Sequence, residues 1–232
     1  MNKIETEIPK HLGVILDGNR RWAKQNNLTS LEGHRRGSEV FRQISLDAFD
    51  LGIKYLSAFV FSTENWQRTK EETSYLMKLV VKAVEKYLND FNNKGIKIVI
   101  LGSKDGLSKS VLESIESTEL KTKNNKKGTL AICLNYGGQQ EIVDAVKKII
   151  IKKINPEDIN KELFEQNLYS PEIPPIDLLI RTSAEQRISG FMLWRIAYAE
   201  LLFVDKYWPD YTTADLKKAI NIYSKRQRRY GS

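Results

Sequence analysis

The 232-residue chain carries one cysteine and a formal charge of +8. That length supports one good-sized core, a single thiol excludes a disulfide framework, and the lack of any run of about 20 apolar residues excludes a membrane-spanning helix. One domain over residues 1–232 is expected.

The first ten residues are polar, include Glu5 and Glu7, and hold no apolar signal segment. With Cys133 inside an apolar run, this suits a reducing, cytoplasmic setting. Residues 12–16 form a first apolar run that stops at Asp17-Gly18-Asn19-Arg20-Arg21-Trp22. Residues 32–51 predict a helix, with Val40, Ile44 and Ala48 on one face and Gly52 as its stop. Residues 55–61 read as a buried strand ending at Ser62-Thr63-Glu64-Asn65-Trp66-Gln67-Arg68. A long helix over 70–91 carries a wide apolar stripe and breaks at Gly95.

Strand 96–101, helix 107–117, an exposed turn at 124–127 and strand 130–134 follow, the last ending at Asn135-Tyr136-Gly137-Gly138. Helix 140–152 leads to a short helix capped at Asn155-Pro156-Glu157. After the rigid connection from Ser170-Pro171 to Pro174-Pro175, strand 176–180 ends at Arg181-Thr182. A last strand within 197–204 and a helix over 213–229 close the chain. Strands separated by helices of crossover length predict an α/β fold: a six-stranded, mostly parallel sheet surrounded by helices.

Ligands of such sheets collect beyond the carboxyl ends of the strands. Three of these ends carry arginines, acids and small hydroxyls, a composition suited to a diphosphate and a divalent cation. Gly18 permits close approach of backbone to ligand, and Arg21 can fork onto a phosphate. Asp17 repels a bare diphosphate and makes sense as a Mg²⁺ ligand. His34, Ser62, Asn65 and Arg68 are further polar candidates, and Arg181, Arg187 and Ser189 can surround a second phosphate. Glu200 sits in strongly apolar sequence, where an acid needs a partner or a metal. No P-loop pattern is present, and Gly137-Gly138 makes a poor dinucleotide fingerprint. The basic residues are dispersed over 121–127, 147–153 and Lys225, Arg226, Arg228 and Arg229, without an aromatic-interleaved patch, so no nucleic-acid partner is expected.

These blocks resemble the cis-prenyltransferases, the undecaprenyl diphosphate synthase family, from about His11 to Gly231. The resemblance rests on Asp17-Gly18-Asn19-x-Arg21-Trp22-Ala23, Gly33-His34-x-x-Gly37 and Phe61-Ser62-x-Glu64-Asn65-Trp66-x-Arg68. It continues through Asn135-Tyr136-Gly137-Gly138, Asp177-Leu178-x-Ile180-Arg181-Thr182, and Ala199-Glu200 before Trp208-Pro209-Asp210. It implies catalytic roles for Asp17, His34, Ser62 and Asn65, and an allylic diphosphate site at Gly18, Asn19, Arg20, Arg21 and Arg68. It also implies an isopentenyl diphosphate loop at Arg181, Arg187 and Ser189, and Mg²⁺ at Asp17 and Glu200, the latter acting within the chain or from a neighbouring subunit. A homodimer is implied as well, and Arg229-Tyr230-Gly231 resembles a terminal segment that approaches the second substrate. The helix over 70–91 could line a tunnel for the growing apolar chain.

Four positions depart from the family pattern. Ser30 stands where an arginine is usual, Ser183 and Ala184 where two glycines are usual, and Gly190 where asparagine is usual. The expected reaction is prenyl transfer from an allylic diphosphate to isopentenyl diphosphate. The alternatives are an irregular head-to-middle condensation of dimethylallyl diphosphate and a non-catalytic subunit of a prenyltransferase dimer. Membrane contact is expected only for a long product.

Overall fold

A computed structural model describes residues 7–226. The carry-over onto Arg229-Tyr230-Gly231 lies outside them, as does Arg228 of the basic residues near the C-terminus. In chain order the regular elements are β1 (His11–Ile15), α1 (Asn19–Gln25), α2 (Ser30–Asp50), β2 (Tyr55–Ser62), α3 (Lys70–Asn93), β3 (Ile96–Leu101) and α4 (Lys109–Thr122). They continue with β4 (Gly128–Tyr136), α5 (Gly138–Ile151), α6 (Lys161–Glu165), β5 (Leu178–Arg181), β6 (Glu200–Phe203) and α7 (Thr213–Ser224). Short 3₁₀ turns occupy Thr63–Gln67, Pro156–Asp158 and Trp208–Asp210.

The strands form one six-stranded sheet in the order β3-β4-β2-β1-β5-β6. Every pairing is parallel. Side chains alternate between its faces, as strand geometry requires. Leu12, Val14, Leu56, Ala58, Leu178 and Ile180 enter a larger core with α2, α3, α4 and α7. Ile15, Ala131, Cys133 and Leu179 enter a smaller one, covered by Phe191, Met192 and Ile196 from the link between β5 and β6. After β1 the chain therefore leaves over one face, and after β5 over the other. The crevice between two such strand ends is the topological switch point of the sheet.

Local chemistry moves several element ends away from the sequence expectation. Helix α2 starts at Ser30 rather than at 32, because Thr29 and Glu32 form a reciprocal capping box. Helix α4 runs a turn longer than expected. The Thr118 and Thr122 hydroxyls donate to carbonyls one turn back, and Thr122 accepts the Ile98 N–H at 3.0 Å, tying the helix to β3. The strand expected within 197–204 shrinks to Glu200–Phe203, and α7 ends at Ser224.

Glycines set the close approach of α1 to α2. A Cβ on Gly33 would lie 2.2 Å from the Asn19 carbonyl, and one on Gly37 would lie 2.1 Å from Asn19 Oδ1. The one-turn spacing of these glycines seats α2 against the start of α1 and brings His34 to the strand ends.

Candidate active site

Asp17 follows β1 at the switch point. Its carbonyl accepts from the Thr182 hydroxyl at 2.7 Å and from the Trp208 N–H at 3.0 Å. Its carboxylate lies between two guanidiniums, with Arg181 at 2.8 Å and Arg21 at 3.2 Å. Burial works to raise the Asp17 carboxyl, but the Arg181 bond and the charges of Arg181 and Arg21 outweigh it and hold the group below its ordinary range. Gly18 turns the chain into α1 at φ 106°. A Cβ there would meet the Tyr207 ring at 2.8 Å, so glycine is required on both counts.

Arg181 is the buried cation of the site. It also donates to Ser189 Oγ at 2.8 Å and to the Arg187 carbonyl. Arg187 itself is exposed and pairs with Glu185 at 2.5 Å, while the other oxygen of Glu185 holds Arg21 at 2.7 Å. Glu185 thus joins the first and third expected clusters, a bridging position that no local pattern assigns. Glu72 plays a similar part across the mouth, at 3.0 Å from Arg68 and 3.7 Å from Arg20.

A cavity of about 330 Å³ opens at this point. Asp17, Asn19, His34, Ser62, Asn65, Arg68, Arg181 and Ser189 give it a polar mouth, and α3 and the sheet give it an apolar interior. Asn65 accepts the Ser62 N–H at 3.1 Å, fixing the turn after β2. Asn19 Oδ1, His34 Nε2 and Arg181 Nε are buried without partners, and all three residues line the cavity. Buried polar groups are ordinarily satisfied, so these three mark a place built for a polar ligand. Burial, then the charge of Arg68, lowers His34 to about 4 against the opposing pull of Glu72, so its imidazole is neutral near pH 7. Arg20, Arg21 and Arg187 frame the mouth from outside the cavity lining.

Asp17 is the one carboxylate lining the cavity, and no group of three or more metal-ligating side chains occurs among the described residues. Magnesium commonly takes one or two protein carboxylates together with phosphate oxygens. The donor set therefore fits an ion shared with a diphosphate and not an all-protein cage. Glu200 requires a correction. It stands level with Leu178 at the opposite end of β5, three register positions from Arg181, which is roughly 10 Å along the strand. Its carboxylate binds Arg226 at 2.8 Å. Within one chain it does not join Asp17 around an ion.

The atypical positions have definite conformations. Gly190 is left-handed at φ 75°, a region open to glycine and asparagine alike, so this departure keeps the backbone. Ser183 and Ala184 are left-handed too, at φ 83° and 59°, where their side chains are strained. Ser30 begins α2, and its hydroxyl is buried without a partner.

Two further polar groups belong to the scaffold. His11 Nε2 meets Ser57 Oγ at 2.8 Å, but its Nδ1 faces the Pro174 and Pro175 carbonyls, and both His11 and Ser57 are fully buried. This is no nucleophilic triad. Arg195 and Glu141 form a buried pair at 2.8 Å, completed by the Tyr169 N–H and the Tyr136 hydroxyl. No local pattern marks this pair, because its members lie 54 positions apart.

A sequence-family model described as putative undecaprenyl diphosphate synthase matches residues 15–231. An isoprenyl transferase of Thermotoga maritima is 47% identical over 229 residues, covering 97% of each chain. A ditrans,polycis-undecaprenyl-diphosphate synthase ((2E,6E)-farnesyl-diphosphate specific) of Micrococcus luteus is 40% identical, covering 97% of this chain and 92% of the other. Among solved structures, lavandulyl diphosphate synthase from Lavandula x intermedia, in complex with dimethylallyl diphosphate, matches with a TM-score of 0.94 at 33% identity. The match covers 97% of this chain and 99% of that one. A probable undecaprenyl diphosphate synthase from Campylobacter jejuni matches at 0.82 and 30% identity over the same shares.

Proposed function

The chain belongs to the undecaprenyl diphosphate synthase family and is a prenyltransferase; from that premise we propose that it elongates an allylic diphosphate with isopentenyl diphosphate, releasing diphosphate and leaving a cis double bond. The observation that carries this reading is Asp17 held between Arg21 and Arg181 at the mouth of an apolar cavity. Charge on the mouth and hydrocarbon lining below it match an anionic head on a prenyl tail.

In this reading Arg21, Arg68 and the first N–H groups of α1 receive the allylic diphosphate, with Arg20 at the rim. Arg181, Arg187 and Ser189 receive the second diphosphate. A magnesium ion held by Asp17 and diphosphate oxygens would supply neutralisation of the leaving group's charge. The allylic carbon–oxygen bond breaks as the arginines take up that charge. The terminal CH2 of isopentenyl diphosphate attacks the freed allylic carbon, and a base takes one proton from C2 of the isopentenyl unit, beside the new cationic carbon, to form the new double bond. Neutral His34, with Ser62 and Asn65 nearby, lines the space where diphosphate departure and proton removal take place. Holding both substrates in one crevice removes much of the entropic barrier.

A second reading is favoured by one observation: the lavandulyl diphosphate synthase structure that this chain matches holds dimethylallyl diphosphate. An irregular head-to-middle coupling of two dimethylallyl units would use the same mouth. Ser30, in place of a cation, would favour a short first substrate. Mass spectrometry of products separates the two. Dimethylallyl diphosphate is supplied with Mg²⁺, first alone and then with isopentenyl diphosphate. A product ladder only in the second incubation is expected, and a product in the first would replace elongation by irregular coupling.

The enzyme acts as a homodimer in the cytoplasm. Val143, Val146 and Ile150 form an exposed apolar stripe on α5, and Leu201 on the edge strand β6 is exposed too. Such surface favours burial against a second copy. No helix among the described residues is long and apolar enough to cross a membrane. Membrane contact then arises only through a long product.

A further inference from the structure

Asn135-Tyr136-Gly137-Gly138 joins the end of β4 to the start of α5, and none of the four residues lines the cavity. They nevertheless touch both segments whose side chains do: the turn after β2, with Ser62, Asn65 and Arg68, and the loop after β5, with Ser189.

Strands β2 and β4 are neighbours, and register shifts between Phe59 and Ser62 bring Ser62 level with Tyr136. Such shifts re-aim the end of a strand. The turn that follows leans on the β4 end at two points. The Trp66 Nε1–H donates to Asn135 Oδ1 at 2.7 Å. Gly137 faces Thr63, whose Oγ1 would lie 2.5 Å from a Cβ built there. Asn135 is a firm post for this contact. Its amide donates to the Ser103 and Asp105 carbonyls at 2.9 Å each, and its own carbonyl accepts the Ser103 N–H at 3.1 Å. Its φ of 49° is a conformation that asparagine tolerates.

Strand β5 is separated from β4 by β2 and β1. The link after β5 returns across that gap, with the Phe191 ring 5.0 Å from that of Phe59 and 6.5 Å from that of Tyr136. There the Gly138 N–H donates to the Gly190 carbonyl at 2.9 Å, and a Cβ on Gly138 would collide with that oxygen. Ser189, Gly190 and Met192 have φ values of 49°, 75° and 42°. Left-handed backbone at serine and methionine persists only where the surroundings hold it, and the Gly138 bond supplies a hold directly beside Ser189.

We propose that Asn135-Tyr136-Gly137-Gly138 is a positioning bracket that fixes the spacing of the two diphosphate subsites. Asn135 and Gly137 set the turn with Ser62, Asn65 and Arg68, and Gly138 sets the loop with Arg187 and Ser189. This rests on the prenyl diphosphate reading of the mouth. Both arms spring from one short backbone segment, itself locked by the Glu141 N–H on the Gly137 carbonyl at 2.8 Å and by the Tyr136 hydroxyl on the Glu141 carboxylate. The distance between the allylic carbon and the attacking double bond is then set by this segment, and a misplacement of about 1 Å costs about a hundredfold in rate.

The test is steady-state kinetics with farnesyl diphosphate and isopentenyl diphosphate varied in turn, beside thermal unfolding, on the wild type and on variants of each arm. Trp66→Phe, which loses the indole N–H, and Gly137→Ala should each raise KM for farnesyl diphosphate about fivefold, the worth of one hydrogen bond. KM for isopentenyl diphosphate should hardly change in either. Gly138→Ala should give the reverse split, and kcat should fall about tenfold in all three as alignment is lost. Thr63→Ala alone should behave as the wild type. Added to Gly137→Ala it should restore both kcat and KM, because the nearest remaining Thr63 atom then lies 3.6 Å from the new methyl. Should Gly138→Ala not fold, Gly190→Ala strains the same hydrogen bond from its other end, with no atom nearer than 4.0 Å to its Cβ, and should give the same split as Gly138→Ala. Folded variants with wild-type constants, or with both KM values raised alike, would overturn the bracket while leaving the diphosphate reading intact. So would a double variant that regains thermal stability but not KM. A wild type that does not turn over this substrate pair would overturn the reading beneath it.

Discussion

The carboxylate of Asp17 and the guanidinium of Arg181 meet at 2.8 Å across the carboxyl ends of β1 and β5. The Arg181 side chain is 5% exposed and that of Asp17 27%. The acid therefore partners a buried cation in addition to any work on substrate. Asp17→Ala leaves Arg181 buried and short of a counter-charge, and should lower stability by about 3 kcal/mol. Asp17→Asn keeps an acceptor at the same place and should lower it less. Both should reduce turnover by about a hundredfold or more, since the charge that manages the leaving diphosphate is gone. Urea unfolding beside steady-state kinetics checks this, and an Asn variant with near-normal turnover would remove Asp17 from the chemistry.

Arg187 offers a cleaner separation of binding from folding. It is exposed, and its ion pair is with Glu185. Arg187→Ala should change stability by no more than about 0.5 kcal/mol. It should raise KM for isopentenyl diphosphate roughly tenfold, as expected when a charge-assisted contact is lost. KM for the allylic primer should hardly move. Titration with isotope-labelled substrates decides the assignment, and equal weakening of both substrates would refute it.

Ser183 and Ala184 carry left-handed backbones that suit glycine. Their N–H groups donate at 2.9 Å to the Lys206 and Val204 carbonyls, so the conformation is fixed by the link to β6. Ser183→Gly and Ala184→Gly should each relieve about 1 kcal/mol of strain, less what glycine loses by loosening the unfolded chain. A rise in melting temperature on calorimetry is expected, and a fall in both variants would show that the strain is absent.

The histidines give the protein an acid limit. Burial lowers both His11 and His34 from 6.5 to about 4. Above pH 6.5 each is neutral whether folded or unfolded. As pH falls from 6.5 toward 4 the unfolded chain takes up protons that the folded one refuses. Stability is then lost, by roughly 3 kcal/mol for each histidine. Chemical denaturation across that window should show a falling midpoint. His34→Gln should flatten about half of the slope, and an unaltered slope would mean that His34 is charged in the folded state.

Much of this was legible along the chain because it depends on short-range pattern. Apolar runs of strand length, helical stripes and the polar residues that stop them define six strands, their crossovers and the rim where a ligand sits. Asp17, Arg21, Asn65 and Arg181 stand out because polar residues directly after buried strands have no packing role. Element ends were less legible. The Thr29–Glu32 box and the hydroxyls of Thr118 and Thr122 extend helices by contacts that periodicity does not register.

The sequence by itself determined the alternation of strand and helix and the chemical inventory of the strand ends, since both follow from residue type and local spacing. Only the tertiary structure decided which of those residues meet. Strand order puts β5 beside β1, so that Asp17 and Arg181 touch across 164 positions. Register puts Glu200 at the far end of β5, away from them. The packing of α2 and α3 on the sheet decides which apolar side chains line the cavity below that mouth. Such pairings are set by how the sheet is wound and how helices stack on it, and no local pattern encodes the distance between segments that come together only when the core closes.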